Sequence, residues 1–252
     1  MSSSTGQTSS AGAVNHSGAR FAATRWSIVL AARGDGSASA TRRAMEELAG
    51  AYWFPLYAFA RRKGEGPAAA EDLVQEFFAR LLEKDFLAQV DRSKGKFRSF
   101  LLAAMQHFMA NQRAMQRAMK RGGPRGPIAL DGLDAEGRYA LEPADELTPE
   151  RLFDRRWALT VLDQVLRRLG EEYAAAGKGE LYAAISGFLT ADRERADYST
   201  AARQLGWAEG TVRVAVHRLR RRYRDLLRVE IAQTVDSPEQ VEEEISHLLN
   251  CL

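Results

Sequence analysis

Within the segment 198–224, YSTAARQLGWAEGTVRVAVHRLRRRYR, the residues able to do chemistry are Arg213, His217, Arg220, Arg221 and Arg224. They fall off an apolar line made by Val212, Val216, Leu219, Tyr223 and Leu226, which recur at steps of three or four. A helix starting near Glu209 therefore has one buried stripe and one cationic side. Such a surface makes and breaks no bonds; it neutralises phosphates and presents donors to base edges. Ahead of it, Ala201 and Ala202 are small where two helices must cross closely, Leu205 supplies a core contact, and Gly206 suits the left-handed residue that ends a helix. This is the order of a helix-turn-helix, with Glu209, Thr211 and Arg213 in the first turns, nearest the bases. His217, Arg218, Arg220 and Arg221 lie further along, at phosphate distance.

A second basic tract lies far away in sequence. From residue 92 to 126 the bases are Arg92, Lys94, Lys96, Arg98, Arg113, Arg117, Lys120, Arg121 and Arg125, with no acid among them. From 229 onward the pattern reverses, with Glu230, Asp236, Glu239, Glu242, Glu243 and Glu244. The net charge of +3 hides this segregation. One polyanion contacted at two places accounts for both tracts.

Other chemistries find no support. Gly177-Lys178-Gly179 lacks P-loop spacing, and no carboxylate cluster or nucleophile–base pair stands out, so the chain does not read as an enzyme and no cofactor is implied. The one cysteine, Cys251, precludes an intramolecular disulfide, and with His16, His107, His217 and His247 lacking partners at ligand spacing no metal site is expected. No stretch is apolar enough to span a bilayer, and residues 1–21 read as a polar, disordered tail without a secretion signal. A reducing cytoplasm is the expected location.

The elements that must position these residues are helices; no segment alternates with period two for long. The spacing predicts helices over 22–32, 40–63 (kinked at Pro55), 68–86 and 97–120, with apolar lines such as Met45, Leu48, Tyr52, Leu56 and Phe59, or Phe97, Leu101, Met105, Phe108, Met115 and Met119. Residues 122–147 lose periodicity and gather Gly, Pro and acids, as a flexible linker does. Thr148-Pro149-Glu150 opens the next helix, along which Leu152, Leu159, Leu162, Leu166 and Leu169 recur. Leu181, Ile185, Phe188 and Leu189 mark another. Ser237-Pro238-Glu239-Gln240 reads as a capping box opening a final acidic helix that carries Val241, Ile245, Leu248 and Leu252. The expected architecture is all-α: two small helical domains, 22–121 and 148–230, joined by the linker and followed by an acidic extension, 231–252.

In that order, the motifs resemble a bacterial RNA polymerase sigma factor of the extracytoplasmic-function group, in a subgroup with a C-terminal extension. AEDLVQEFF at 70–78 resembles the helix of the first domain that grips the core-polymerase clamp, and GKFRSFLLAAMQHFMANQRAMQRAMKR at 95–121 resembles the segment that opens and reads the minus-10 element. ERLFDRRWALTVLDQVLRRL at 150–169, with the helix-turn-helix, resembles the minus-35-binding domain. The resemblance implies core-polymerase contacts at Asp72, Leu73, Gln75, Glu76 and Phe78. It implies minus-10 contacts at Arg98, Gln106, Asn111, Arg113 and Arg117, with Phe97, Phe100 and Phe108 as candidate stacking rings, and minus-35 contacts at the residues already named on the recognition helix. Val214 and Ala215 depart from the family, whose recognition helices often carry a base and a serine there.

The implied partners are core RNA polymerase and promoter DNA, with an anti-sigma factor as a further candidate. The acidic final helix suggests a decoy folding onto the cationic helix, against the alternative of a helix packed through Val241, Ile245 and Leu248. The competing function is a helix-turn-helix regulator that binds an operator as a dimer, independently of polymerase. A nucleic-acid enzyme is the remaining rival and lacks a catalytic constellation.

Overall fold

The computed structural model describes residues 38–81, 96–119, 132–140, 147–190, 197–235 and 237–252. The helix expected over 22–32 and the tail before it lie outside them, as does the end of the helix expected over 68–86. Among the described residues the chain is all helical, without strands.

Helices α1 (Ala38–Arg62), α2 (Pro67–Leu81) and α3 (Phe97–Met119) form the first group. Leu48, Tyr52, Leu56 and Phe59 are fully buried along α1, as the spacing predicts, and the helix runs through Pro55. At that point the ring removes one backbone donor, so packing rather than the local ladder holds the turn together. Val74, Phe77, Phe78 and Leu81 of α2 close over Phe97, Leu101, Met105 and Phe108 of α3 in the same core. Met115, expected on that line, is 50% exposed and stands outside the core.

Inside the segment read as a linker, α4 (Gly132–Ala140) docks on α1. Arg61 reaches Glu136 through two bonds of 2.7 and 2.9 Å, and the Tyr57 hydroxyl donates to the same carboxylate at 2.6 Å. Tyr139 lies under the Arg61 guanidinium, 4.9 Å from the ring centroid. The Gly/Pro punctuation around it hid a nine-residue helix too short to carry a clear period.

Helix α5 (Pro149–Ala175) joins the two halves, starting where the sequence predicts: the Thr148 side chain accepts from the Arg151 amide at 3.2 Å. It packs along α1 on one side and on α8 (Glu209–Ala232) on another. That double burial explains why only the ends of the leucine line, Leu152 and Leu169, are fully buried. Phe153, Trp157, Val161 and Val165 are buried, whereas Leu159, Leu162 and Leu166 are only half-buried. The apolar core is consequently continuous through both halves.

Helix α6 (Gly179–Ile185), a 3-10 turn (Ser186–Leu189) and α7 (Ser199–Leu205) complete the second group with α8. Gly206 ends α7 at φ 66°, ψ 29°, and the Trp207 amide donates back to the Ala202 carbonyl at 2.9 Å. After α8 the chain turns, and α9 (Gln240–Asn250) begins two residues later than the Ser237 capping box implies. The amides of Gln240 and Val241 instead close tight i→i+3 bonds to Ser237 and Pro238. Val241 and Leu248 are buried and Ile245 half-buried, so the final helix packs on the fold through the residues expected.

Candidate nucleic-acid interface

On α8, the residues opposite the buried line are open to solvent. Glu209, Thr211, Arg213, His217, Arg218, Arg221 and Arg224 are all exposed. Arg213 lies 5.6 Å from the Tyr198 ring centroid, a cation–π contact that leads the side chain across the α7–α8 junction. Arg220 departs from the expectation. Half-buried, it donates twice to the Phe188 carbonyl, at 2.6 and 3.0 Å, and so caps the 3-10 turn instead of facing outward. Arg222 turns to α5, in a bidentate pair with Glu172 at 2.7 Å.

On α2, Asp72 and Glu76 are exposed, and Glu76 accepts from Gln112 at 2.7 Å. Leu73 is partly buried against the core, while Phe78 is 5% exposed and packs edge-on to Phe77 at 6.0 Å between centroids. Its place is in the core, which leaves it no surface for a partner. Gln75 keeps a buried amide nitrogen without a hydrogen-bond partner among the described residues. The surface that remains for a partner is polar: Asp72 and Glu76, one turn apart.

Along α3 the donors expected to face DNA meet the protein's own carboxylates. Gln106 donates to Glu150 at 3.1 Å, and Lys63 shares that carboxylate at 2.9 Å. The Lys63 hydrogen bond holds the Glu150 carboxyl below its ordinary range. Arg113 forms two bonds to Glu65, at 2.7 and 3.0 Å, and one to the Lys63 carbonyl. Asn111 is exposed; Arg117 belongs to the last turns of α3, its side chain outside the described set. Of the three rings offered for stacking, Phe97 and Phe108 are buried and Phe100 is half-buried.

Arg98 departs furthest from its expected role. Only 7% exposed, it bonds Glu244 of α9 and Asp154 of α5, each at 2.5 Å, with the Trp157 ring 5.3 Å from its guanidinium carbon. Glu244 is fully buried, and Lys96 lies 2.7 Å from its other oxygen. Burial pushes the Glu244 carboxyl up, but the bonds and charges of Arg98 and Lys96 outweigh it and hold the group below its usual range. The backbone joins in: the Phe97 amide, an orphan donor at the start of α3, bonds the Thr234 carbonyl at 3.3 Å. The acids of α9 thus meet Arg98, Lys96 and, through Glu242, Arg228 at 2.7 Å. Among the described residues the acidic helix pairs with the cationic helix only at Arg228, near its end, and Arg213, His217, Arg218 and Arg221 stay exposed.

The same junction brings three potential ligating side chains together. His247 and Cys251 are one helical turn apart, and Asp154 of α5 meets them, so that one ligand atom from each lies within 4.8 Å of the others. Sequence distance hid the third member, and the i,i+4 spacing of the first two was the available signal.

Residues 51–119, the end of α1 through α3, match the family model for Sigma-70 region 2. The match supports a sigma-70 family sigma factor. Region 2 supports a role in binding RNA polymerase and melting promoter DNA, and sigma factors of this family are initiation factors without enzymatic activity. No curated protein and no solved structure matches the chain. Among the described residues no helix is long and apolar enough to cross a membrane.

Proposed function

We propose that this protein is a sigma factor of the extracytoplasmic-function group that binds core RNA polymerase through α2 and recognises a bipartite promoter. The observation that carries the reading is the region 2 match over 51–119, because it covers both the polar strip on α2 and the basic helix α3. In this reading Asp72, Gln75 and Glu76 fix register on polymerase, with Leu73 as a partly covered apolar neighbour. The exposed Asn111 engages the minus-10 element, joined by Arg113 and Gln106 once phosphate replaces their partners Glu65 and Glu150.

The second group supplies minus-35 recognition. The close α7–α8 crossing, the left-handed Gly206 and the exposed face of α8 support a helix-turn-helix, with Glu209, Thr211 and Arg213 toward bases and His217, Arg218 and Arg221 toward phosphates. Arg98 and Arg220 are structural in this arrangement, and Phe78 is a core residue.

The test is binding of the full chain to bacterial core RNA polymerase, with an Asp72→Ala/Gln75→Ala/Glu76→Ala variant beside it. Saturable binding that the variant loses, together with promoter-dependent transcription by the reconstituted holoenzyme, is the expected result. Tight duplex binding without any affinity for core would replace this reading with that of an operator-binding regulator.

A further inference from the structure

We propose that Asp154, His247 and Cys251 form a binding site for a thiophilic divalent cation of the zinc class, which pins α9 to α5. The Cys251 sulfur lies 3.3 Å from His247 Nε2, and that nitrogen lies 3.8 Å from Asp154 Oδ2. Zinc bonds of about 2.0–2.3 Å to N, O and S place neighbouring ligands of a tetrahedron about 3.3–3.6 Å apart. Two of the three separations are therefore near coordination spacing and the third pair lies within 4.8 Å, so closing the site asks for a shift of up to about 1 Å. Sulfur and imidazole in the donor set select zinc or cobalt over magnesium or calcium, which prefer oxygen.

The surroundings suit such an ion. Arg98 donates to Oδ1 of Asp154, leaving Oδ2 directed at the imidazole, as an outer-shell partner that orients a ligating carboxylate does. Thiolate, the Asp154 carboxylate and nearby Glu243 and Glu244 face Arg98, Lys96 and Arg151, so the anionic groups at least balance the cations around a divalent ion. All three ligands are partly exposed, which leaves a route in for the ion and room for water at the fourth position. Binding converts the Cys251 thiol to thiolate and releases its proton to solvent; nothing is oxidised or reduced.

Because the chain contains one cysteine, any thiolate–metal signal must arise at Cys251. Full-length, tag-free, reduced and chelator-stripped protein is titrated with cobalt(II), followed by the near-ultraviolet sulfur-to-cobalt charge-transfer band, and then with zinc(II). The expected result is one cobalt per chain, loss of the band on zinc addition, no band in Cys251→Ser, and at least a tenfold weaker titration in His247→Ala, with unchanged far-ultraviolet circular dichroism. Zinc is also expected to slow amide hydrogen exchange across 237–252 in wild type and not in Cys251→Ser. Absence of the band, a stoichiometry of one metal per two chains, or a titration indifferent to His247→Ala overturns the proposal. The assay involves no polymerase or DNA, so its outcome is independent of the sigma-factor reading.

Discussion

Replacing Glu244 by Gln tests whether the buried Arg98 network holds the two helical groups together. The substitution preserves shape but removes the only fully buried carboxylate among the described residues, leaving Arg98 with Asp154 and Lys96 with Glu243 at 3.2 Å. Breaking a buried pair by removing one partner costs about 3–5 kcal/mol, because the other charge stays desolvated. Here Asp154 remains and the Gln carbonyl still accepts, which places the expected loss at about 2–3 kcal/mol. Against a total of about 5–15 kcal/mol for a typical domain, that is readily measured by urea denaturation of the full chain near pH 7. The double variant Arg98→Met/Glu244→Met removes both charges and should recover part of the loss. A change below about 0.5 kcal/mol in Glu244→Gln would refute the argument, since surface substitutions produce as much.

Further outcomes are expected. Because the folded-state pKa of Glu244 is lowered, its contribution is fully present above the ordinary carboxylate range and is lost as pH falls through the folded value, so wild-type stability should drop below about pH 4.5. The stability difference between wild type and Glu244→Gln should narrow over the same acidic window. Gly206→Ala forces an alanine to φ 66° in otherwise open space, and thermal unfolding should show a loss of about 1–2 kcal/mol that is purely conformational. Arg218→Ala should weaken promoter binding and reduce its salt slope by about 1, whereas Arg220→Ala should destabilise the fold by about 1–3 kcal/mol through the orphaned Phe188 carbonyl.

Helices whose apolar residues face one partner were legible in the sequence. The lines Leu48–Tyr52–Leu56–Phe59 and Val212–Val216–Leu219 are buried as their spacing predicts, and Gly206 adopts the left-handed conformation its place in the motif requires. Periodicity loses its power where an element is covered on two sides: α5 buries Trp157 and Val161 because α1 and α8 approach it from different directions. Charge is read from sequence as exposure, and Arg98 and Arg220 reverse that rule because carboxylates and a carbonyl distant in the chain neutralise them. Glu244 looked like one more acid in a solvated tail. Glu244 differs locally from the exposed Glu243 in falling three residues after Val241 and four before Leu248, on the buried line of α9, but its cationic partners on α3 lie too far away in the chain to be read there. The candidate site is legible in the same degree, with the forward half of α8 recognisable and the paired state of α3 not.

The bond between Arg98 and Glu244 spans 146 positions of the chain. During synthesis at about 5–20 residues per second, the start of α3 is made about 7–30 s before its partner in α9 exists. Throughout that interval Lys96 and Arg98 lack the buried carboxylate of Glu244, although Asp154, made sooner, is available to Arg98. Closure of the junction therefore waits on the synthesis of α9, and any chain ended before residue 244 is permanently denied it.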